Sequence, residues 1–203
     1  MIMPCGNTLQ TARSSNKAYM TKYQSPSELE MLFSPAHWGY ALNNSEKALT
    51  ADCPTIYDYM EKFGEDYAAM WVRSQVMALY GSSSNKEKGV ADGLRIFCDA
   101  FTAQVKGFKL SELMLFFARY KAGRYDNSYS SFDARRIGNA FFKEFIPERN
   151  NELDVIMRRE EQRKIEQRRF SPPKGYTSLS WYKELKVRAS KGDEEAIKML
   201  SNP

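Results

Sequence analysis

Apolar side chains recur at helical spacing along most of this 203-residue sequence, and this periodicity restricts its fold more than any other feature. Four of them lie at i, i+3, i+4 and i+7, on one face of a helix: Ile56, Tyr59, Met60 and Phe63. Similar spacing returns in runs at 67–80, 94–105 and 113–120. No segment alternates apolar and polar residues over six positions, and Val and Ile are few beside Met, Leu and Phe. The sequence therefore predicts an all-α fold: a multi-helix orthogonal bundle with a long charged helix and a small C-terminal helical hairpin.

Proline, glycine and polar runs divide the predicted helices into segments. Ser25 and Pro26 are typical of a helix start, and Glu28 would complete a capping box. Pro147 is expected to break or kink the last core helix. The predicted organisation is a flexible N-terminal arm at 1–24, a helical core domain at 25–150, a charged basic helix at 151–170, a Pro/Gly linker at 171–176 and a terminal helical hairpin at 177–203.

Composition excludes several classes of protein. The three cysteines, at positions 5, 53 and 98, share no short spacing, which argues against a disulfide framework and favours a reducing compartment. No apolar stretch approaches the roughly 18 residues that a membrane span needs. The first ten residues lack the charged-then-apolar layout of a signal peptide. We therefore expect a cytoplasmic protein with no membrane partner.

No motif in the sequence indicates an enzyme. Neither the Gly-x-x-x-x-Gly-Lys-Ser/Thr loop nor Gly-x-Gly-x-x-Gly occurs, and no Cys-x-x-Cys pair offers a metal site. His37 is the sole histidine, and no nucleophile elbow accompanies it. We expect no catalytic residue, cofactor or metal, and an enzyme that depends on His37 is only a third hypothesis.

Positive charge is concentrated near the C-terminal end. Residues 153–203 carry 12 basic and 8 acidic side chains, against 18 and 17 in residues 1–152. Such a basic segment suits a phosphate backbone or an acidic protein surface. The residues predicted to bind are Arg158, Arg159, Arg163, Lys164, Arg168 and Arg169. The alternative is a solvated helix with mixed i,i+4 pairs such as Glu160–Lys164.

A second candidate surface combines basic and aromatic residues between 112 and 136. Its members are Lys121, Arg124, Tyr125, Tyr129, Arg135 and Arg136. Single-stranded nucleic acid is bound in this way, because bases stack on rings while Arg and Lys meet phosphates. The alternative is structural: Tyr125, Tyr129 and Phe132 would pack under the loop, and Arg124 would pair with Asp126 or Asp133.

Motifs between Pro54 and Arg149 together form an unusual pattern. They are Pro54-Thr55, Tyr59, Phe63-Gly64, Glu112-Leu113, Phe116-Phe117, Arg119, the string Lys121-Ala122-Gly123-Arg124-Tyr125, Phe132-Asp133 and Glu148-Arg149. This pattern resembles an uncharacterised family of small helical proteins from Bacteroidota genomes, phages and mobile elements. The chain departs from it at Tyr129-Ser130-Ser131, where a Tyr-Gly pair is expected. By analogy alone, such proteins look like replication accessory proteins of the helicase-loader type.

These observations lead to two main hypotheses. The first is a non-enzymatic adaptor in phage or mobile-element DNA replication, with DNA (single-stranded favoured) and a replicative helicase or other acidic protein as partners. The second is a protein–protein regulator or inhibitor of a host protein that binds no nucleic acid. The sequence leaves the oligomeric state open, and the charged helix is either free or coiled with a second copy.

Overall fold

A computed structural model describes residues 20–80, 88–125, 132–170 and 172–201, without the side chains of 88–90 and 167–170. Within these ranges the regular secondary structure is helical, apart from one antiparallel bridge between Thr55 and Lys109. The predicted all-α fold is confirmed. The chain divides into two compact units, Met1–Leu153 and Asp154–Pro203. The predicted N-terminal arm lies mostly outside the described residues.

The helices are numbered in chain order. Those of the first unit are α1 (Pro26–Leu32), α2 (Trp38–Asn43), α3 (Ser45–Thr50), α4 (Ile56–Phe63), α5 (Glu65–Tyr80), α6 (Lys88–Gln104), α7 (Leu110–Lys121) and α8 (Ala134–Asn139), with a 3-10 turn at Pro35–His37 and a π-helix at Ala140–Phe145. Helix α9 (Ile146–Phe170) begins in the first unit and ends in the second, which also holds α10 (Ser178–Ser190) and α11 (Glu194–Ser201).

Local chemistry explains where several helices begin and end. The hydroxyl of Thr55 accepts from the N–H of Asp58, and the Asp58 carboxylate accepts from the N–H of Thr55, which forms a capping box at α4. Gly64 ends α4 with a φ of 104°, a conformation that glycine adopts without strain. The capping predicted for α1 differs in detail, because the Ser25 side chain makes no capping bond and Glu28 accepts instead from the N–H of Gln24 at 2.9 Å.

Helix α7 is the centre of the first unit. It packs against α2, α3, α5 and the π-helix. Leu113, Phe116 and Phe117 are fully buried, as the apolar character of this segment predicts. The ring of Phe116 lies 4.9 Å from that of Phe141 and 5.4 Å from that of Phe145, distances typical of stabilising aromatic pairs.

Backbone hydrogen bonds join the start of α4 to the start of α7. Ile56 N–H donates to Phe108 O at 3.0 Å, and Leu110 N–H donates to Pro54 O at 2.9 Å. Such bonds satisfy backbone groups at helix ends that have no partner within their own helix. They fix the position of α7 relative to α4 from its first turn.

The chain stays helical through Pro147, where a break or kink was one expectation. Pro147 has no N–H, and its ring collides with the carbonyl four residues earlier in a regular α-helix. Residues Ala140–Phe145 form a π-helix, and the N–H of Ile146, which follows it, donates to Phe141 O, five residues back. The wider π-turn interrupts the regular α-helical hydrogen-bonding pattern just before Pro147, and this lets α9 continue through the proline.

The second unit contains the predicted helical hairpin. Thr177 forms a capping box with Ser180 at the start of α10, and Gly192, with a φ of 86°, lies in the turn to α11. Arg188 and Asp193 form a two-bonded ion pair across this turn, at 2.8 and 2.7 Å. The two helices pack against each other, and Leu185 and Ala196 are buried.

Candidate functional site

Two members of the basic-aromatic surface predicted at 112–136 bind a carboxylate of the same chain. Tyr125 is 5% exposed, its ring stacks on that of Phe116, and its hydroxyl donates to Glu148 Oε2 at 2.8 Å. The exposed guanidinium of Arg124 forms an ion pair with the other oxygen of Glu148. Burial and the adjacent Glu148 raise the pKa of Tyr125 above the usual range of a phenol. Tyr125 therefore remains a hydrogen-bond donor, and its ring has no open face for a base.

Arg119, on α7, is the buried cation of the same cluster. It is 4% exposed, and its Nη2 donates to both oxygens of Glu152 at 2.8 Å. Its Nη1 lies 3.3 Å from Glu148 Oε2, close enough for an ion pair but outside hydrogen-bond geometry. Burial opposes the charge, and the bond to Glu152 with the charges of both carboxylates more than offsets it, which raises the pKa of the guanidinium. Arg119 thus stays charged inside the protein.

Glu112 is the buried acidic counterpart. It is 1% exposed, and its Oε1 accepts from Nε and Nη2 of Arg149 at 2.9 and 2.7 Å. Its Oε2 accepts from the N–H of Lys109 at 3.0 Å and so caps α7. The guanidinium of Arg149 also lies over the ring of Phe108, 5.2 Å from its centroid. Together with the cluster around Arg119, this pair joins α7 to the first turns of α9.

The other residues predicted for this surface are placed differently. Lys121 is exposed and its Nζ donates to a backbone carbonyl of α5. Arg135 is exposed in the first turn of α8, where Asp133 caps the helix through the N–H groups of Arg135 and Arg136. The side chain of Arg136 lies 3.4 Å from the Asp133 carboxylate. Tyr129 lies outside the described residues. Among the described residues of this surface, the exposed basic side chains without a carboxylate partner are therefore Lys121 and Arg135.

Phe132 packs on the core side of the same segment. Its ring meets those of Tyr80 and Phe97 edge to face, with centroids 6.1 and 5.7 Å apart. This arrangement agrees with the structural alternative for Tyr125 and Phe132.

The basic residues predicted on the charged helix are exposed wherever their side chains are described: Arg158, Arg159, Arg163 and Lys164. The side chains of Arg168 and Arg169 lie outside the described residues. Apolar residues are sparse on this part of α9, where Ile156 is buried and Met157 is 65% exposed. The helix therefore presents charge along most of its described surface in the second unit.

The remaining groups that could carry chemistry are the histidine and the described cysteines. His37 is exposed, and its Nδ1 lies 3.2 Å from Ser34 Oγ. Cys53 and Cys98 are free and buried, and burial raises their thiol pKa values to about 11 and about 12. Among the described residues, no three His, Cys, Asp or Glu side chains come together as a metal site. Within the same ranges, no helix has both the length and the apolar character that crossing a bilayer requires.

Sequence reasoning missed the acidic partners that organise this cluster. In the sequence, Glu148 belongs to the Glu148-Arg149 motif with no partner indicated, and Glu152 belongs to no motif. Both belong to a strongly charged stretch, where an acidic residue by itself indicates solvent exposure. The available signal was their spacing of four on a helix, which places the two carboxylates on one face.

Comparison with known sequences identifies one matching family, and that family has no assigned function. Residues 98–193, just under half of the chain, match a family of unknown function (DUF6633). No curated protein and no solved structure matches the chain. The matched region contains the buried ion-pair cluster and the basic part of α9.

Proposed function

We propose that this protein is a non-enzymatic adaptor in phage or mobile-element DNA replication, which binds DNA, a replication protein or both through a basic helical surface. One observation carries the proposal: Arg158, Arg159 and Arg163 are exposed on a single helix. The setting in replication rests on the motif resemblance and on analogy, and the binding mode rests on charge.

The spacing of these three arginines gathers their charge on one side of α9. At about 100° per residue, their positions fall within an arc of about 140°. Among the described side chains at 158–166, Glu166 also lies in this arc, so their net charge there is about +2. Glu160 and Lys164 lie elsewhere around the helix at the i,i+4 spacing of a mixed pair. This side of α9 therefore carries positive charge along the helix axis, which suits the regularly spaced charges of a phosphate backbone.

The core surface has a smaller part in this proposal than its sequence indicated. Tyr125 and Arg124 bind Glu148, so we assign them to the fold of the first unit. Lys121 and Arg135 are exposed and are the residues of this surface that we include in the binding site.

Phosphate neutralisation gives this interaction a characteristic salt dependence. Each contacted phosphate releases a condensed counterion, and three contacts to single-stranded DNA give a logarithmic slope of about −2. A fourfold rise in salt would then weaken binding by about 20-fold. A contact dominated by apolar surface would show little of this effect.

Fluorescence anisotropy of labelled single- and double-stranded DNA tests the proposal at roughly 50 and 200 mM salt. We expect micromolar or tighter binding at low salt, with the steep dependence given above. The triple variant Arg158→Gln, Arg159→Gln, Arg163→Gln should lose most of the affinity and flatten the slope.

A matched control variant distinguishes the effect of the charges on α9 from the effect of the total charge of the protein. The variant Lys47→Gln, Arg95→Gln, Lys143→Gln removes the same three charges from exposed positions of the first unit. It should retain most of the DNA affinity. Absence of binding at low salt, or equal losses in the two variants, would refute direct DNA binding through α9.

Exposed apolar residues favour a second candidate function, a protein–protein regulator or inhibitor without nucleic acid. Leu179 and Val187 on α10 are 66% and 51% exposed, and Tyr182 is also exposed. Exposed apolar residues grouped on one helix are typical of surfaces that bind another protein. If DNA binding fails, a partner recovered by pull-down that is lost with Leu179→Ser and Val187→Ser would support this function.

A further inference from the structure

An open cleft of about 610 Å³ lies in the first unit, between α1, α2, α3 and the first turns of α7. Apolar side chains form much of its lining, among them Phe33, Ala41, Ala48 and Met114. Its volume is within the range of small-molecule sites in proteins, about 300–1,000 Å³. The basic residues of α9 are not part of it, so the site is independent of the function proposed above.

Several polar groups along the wall of the cleft are already bound within the protein. Ser111 Oγ donates to Ala48 O at 2.7 Å, and Thr50 Oγ1 donates to Glu46 O at 2.8 Å. Burial raises the pKa of the Cys53 thiol to about 11, so this group is neutral at ordinary pH. The inner wall therefore offers an uncharged surface with few free hydrogen-bonding groups.

Hydrogen-bond donors lie at the mouth. Tyr40 is 63% exposed and Lys47 is exposed, and within the described part of the chain neither side chain has a hydrogen bond or an ion pair. His37 also lines the cleft, with only its Nδ1 near Ser34. Asp52 is the acidic residue among the lining residues. Donors therefore outnumber carboxylates at the entrance, and one of them carries a full positive charge.

We propose that this cleft binds a small organic acid with an apolar acyl or aryl body. The body would displace water from the surface formed by Phe33 and Met114, which is favourable in proportion to the apolar area covered. The acid group would remain at the mouth, where Lys47 and Tyr40 are positioned to donate to it.

Titration with 1-anilinonaphthalene-8-sulfonate tests for the site, since this probe combines an aryl body with an anionic group. We expect saturable binding at one site per chain. The variant Ala51→Trp places a large side chain at an exposed position of the lining and should abolish this binding. The control Ala103→Trp adds the same side chain at an exposed position of α6 and should bind as the unaltered protein does.

Competition between decanoate and decanol tests the class of ligand, because the two differ in the head group alone. Loss of one exposed ion pair in Lys47→Gln should lower the preference for decanoate over decanol by about two- to fivefold. All three variants change exposed side chains, and thermal unfolding checks that each remains folded. Absence of saturable binding, or equal binding by the two tryptophan variants, would overturn the site. An unchanged preference in Lys47→Gln would overturn the assignment of an acid.

Discussion

At the scale of single residues, partners decide what the basic and aromatic side chains do. Arg119, Arg124 and Tyr125 have the composition of a nucleic-acid surface, yet each binds Glu148 or Glu152. A buried arginine requires such partners, because an unpaired charge inside a protein is strongly unfavourable. These residues therefore stabilise the first unit, whereas the described arginines of α9 that we propose for binding an external ligand are exposed.

Replacing Tyr125 by phenylalanine distinguishes these roles. The change removes one hydrogen bond to a carboxylate and retains the ring, so we expect a loss of about 1–2 kcal/mol in the free energy of unfolding. Urea unfolding measures this loss, and DNA affinity by anisotropy should be unchanged. Tyr40→Phe is the control, since the exposed hydroxyl of Tyr40 has no partner among the described residues, and its effect should stay within about 0.5 kcal/mol. Normal stability with weakened DNA binding in Tyr125→Phe would show instead that Tyr125 belongs to the DNA-binding surface.

The sequence indicated part of this arrangement. The structural alternative placed Tyr125 under the loop and paired Arg124 with a nearby aspartate, Asp126 or Asp133. Tyr125 is buried and Arg124 is paired, but their partner is Glu148, more than 20 residues further along the chain. Local spacing predicts contacts within a helix or a turn, whereas a partner on another helix depends on how the helices pack.

At the scale of secondary-structure elements, α9 combines two roles along its length. Its first turns carry Glu148, Arg149 and Glu152, which bind residues of α7. Its later turns carry the exposed arginines. The domain boundary predicted at 150/151 falls before Glu152, and the compact first unit extends to Leu153. Deleting the later turns of α9 together with the chain that follows them should therefore leave a folded first unit.

Two truncations of α9 test where the fold needs it. A chain of residues 1–157 retains the three ion-pairing residues plus one further turn, and we expect a single cooperative thermal transition by circular dichroism. A chain of residues 1–147 leaves the buried Glu112 and Arg119 without their ion-pair partners, at a cost of about 3–5 kcal/mol for a broken buried pair. Its transition should shift to much lower temperature or disappear. Equal melting of the two chains would show that these ion pairs contribute little to stability.

At the scale of the whole molecule, the two units differ in how much apolar surface they bury. The first unit surrounds Phe116 and Phe141 with other rings and buries many large side chains. Among described residues of the second unit, the buried ones are Ile156, Leu185 and Ala196. Since stability follows buried apolar area, we expect it to be concentrated in the first unit.

Hydrogen exchange measured by mass spectrometry tests this difference. Amides of α7 open only when the first unit unfolds, whereas those of α10 and α11 open when a small hairpin loosens. We expect exchange in α10 and α11 to be faster by at least about 100-fold. Comparable protection in the two units would mean that the hairpin unfolds together with the core.

The fold class was predictable from the sequence, and the cleft was not. Helical periodicity is a local pattern, and so are the helix ends marked by Gly64, Gly107 and Gly192. Both therefore indicate helices and a terminal hairpin without knowledge of how the helices pack. The cleft is lined by residues as far apart in the chain as Leu32 and Met114. Its existence depends on how four helices meet, which periodicity does not specify.

The π-helix Ala140–Phe145 constrains how the length of this chain can change. An i→i+5 bond encloses one more residue than the i→i+4 bond of an α-helix, so winding the same six residues as a regular α-helix would rotate everything downstream by about 100°. Glu148 and Glu152 would then turn away from Arg119, while substitutions at the exposed positions 142–144 would leave their direction unchanged. Deleting one residue while restoring the α-helix would roughly cancel this rotation. We expect related chains to vary in residue identity at 142–144, and either to keep the π-helix or to lack one residue and form a regular α-helix.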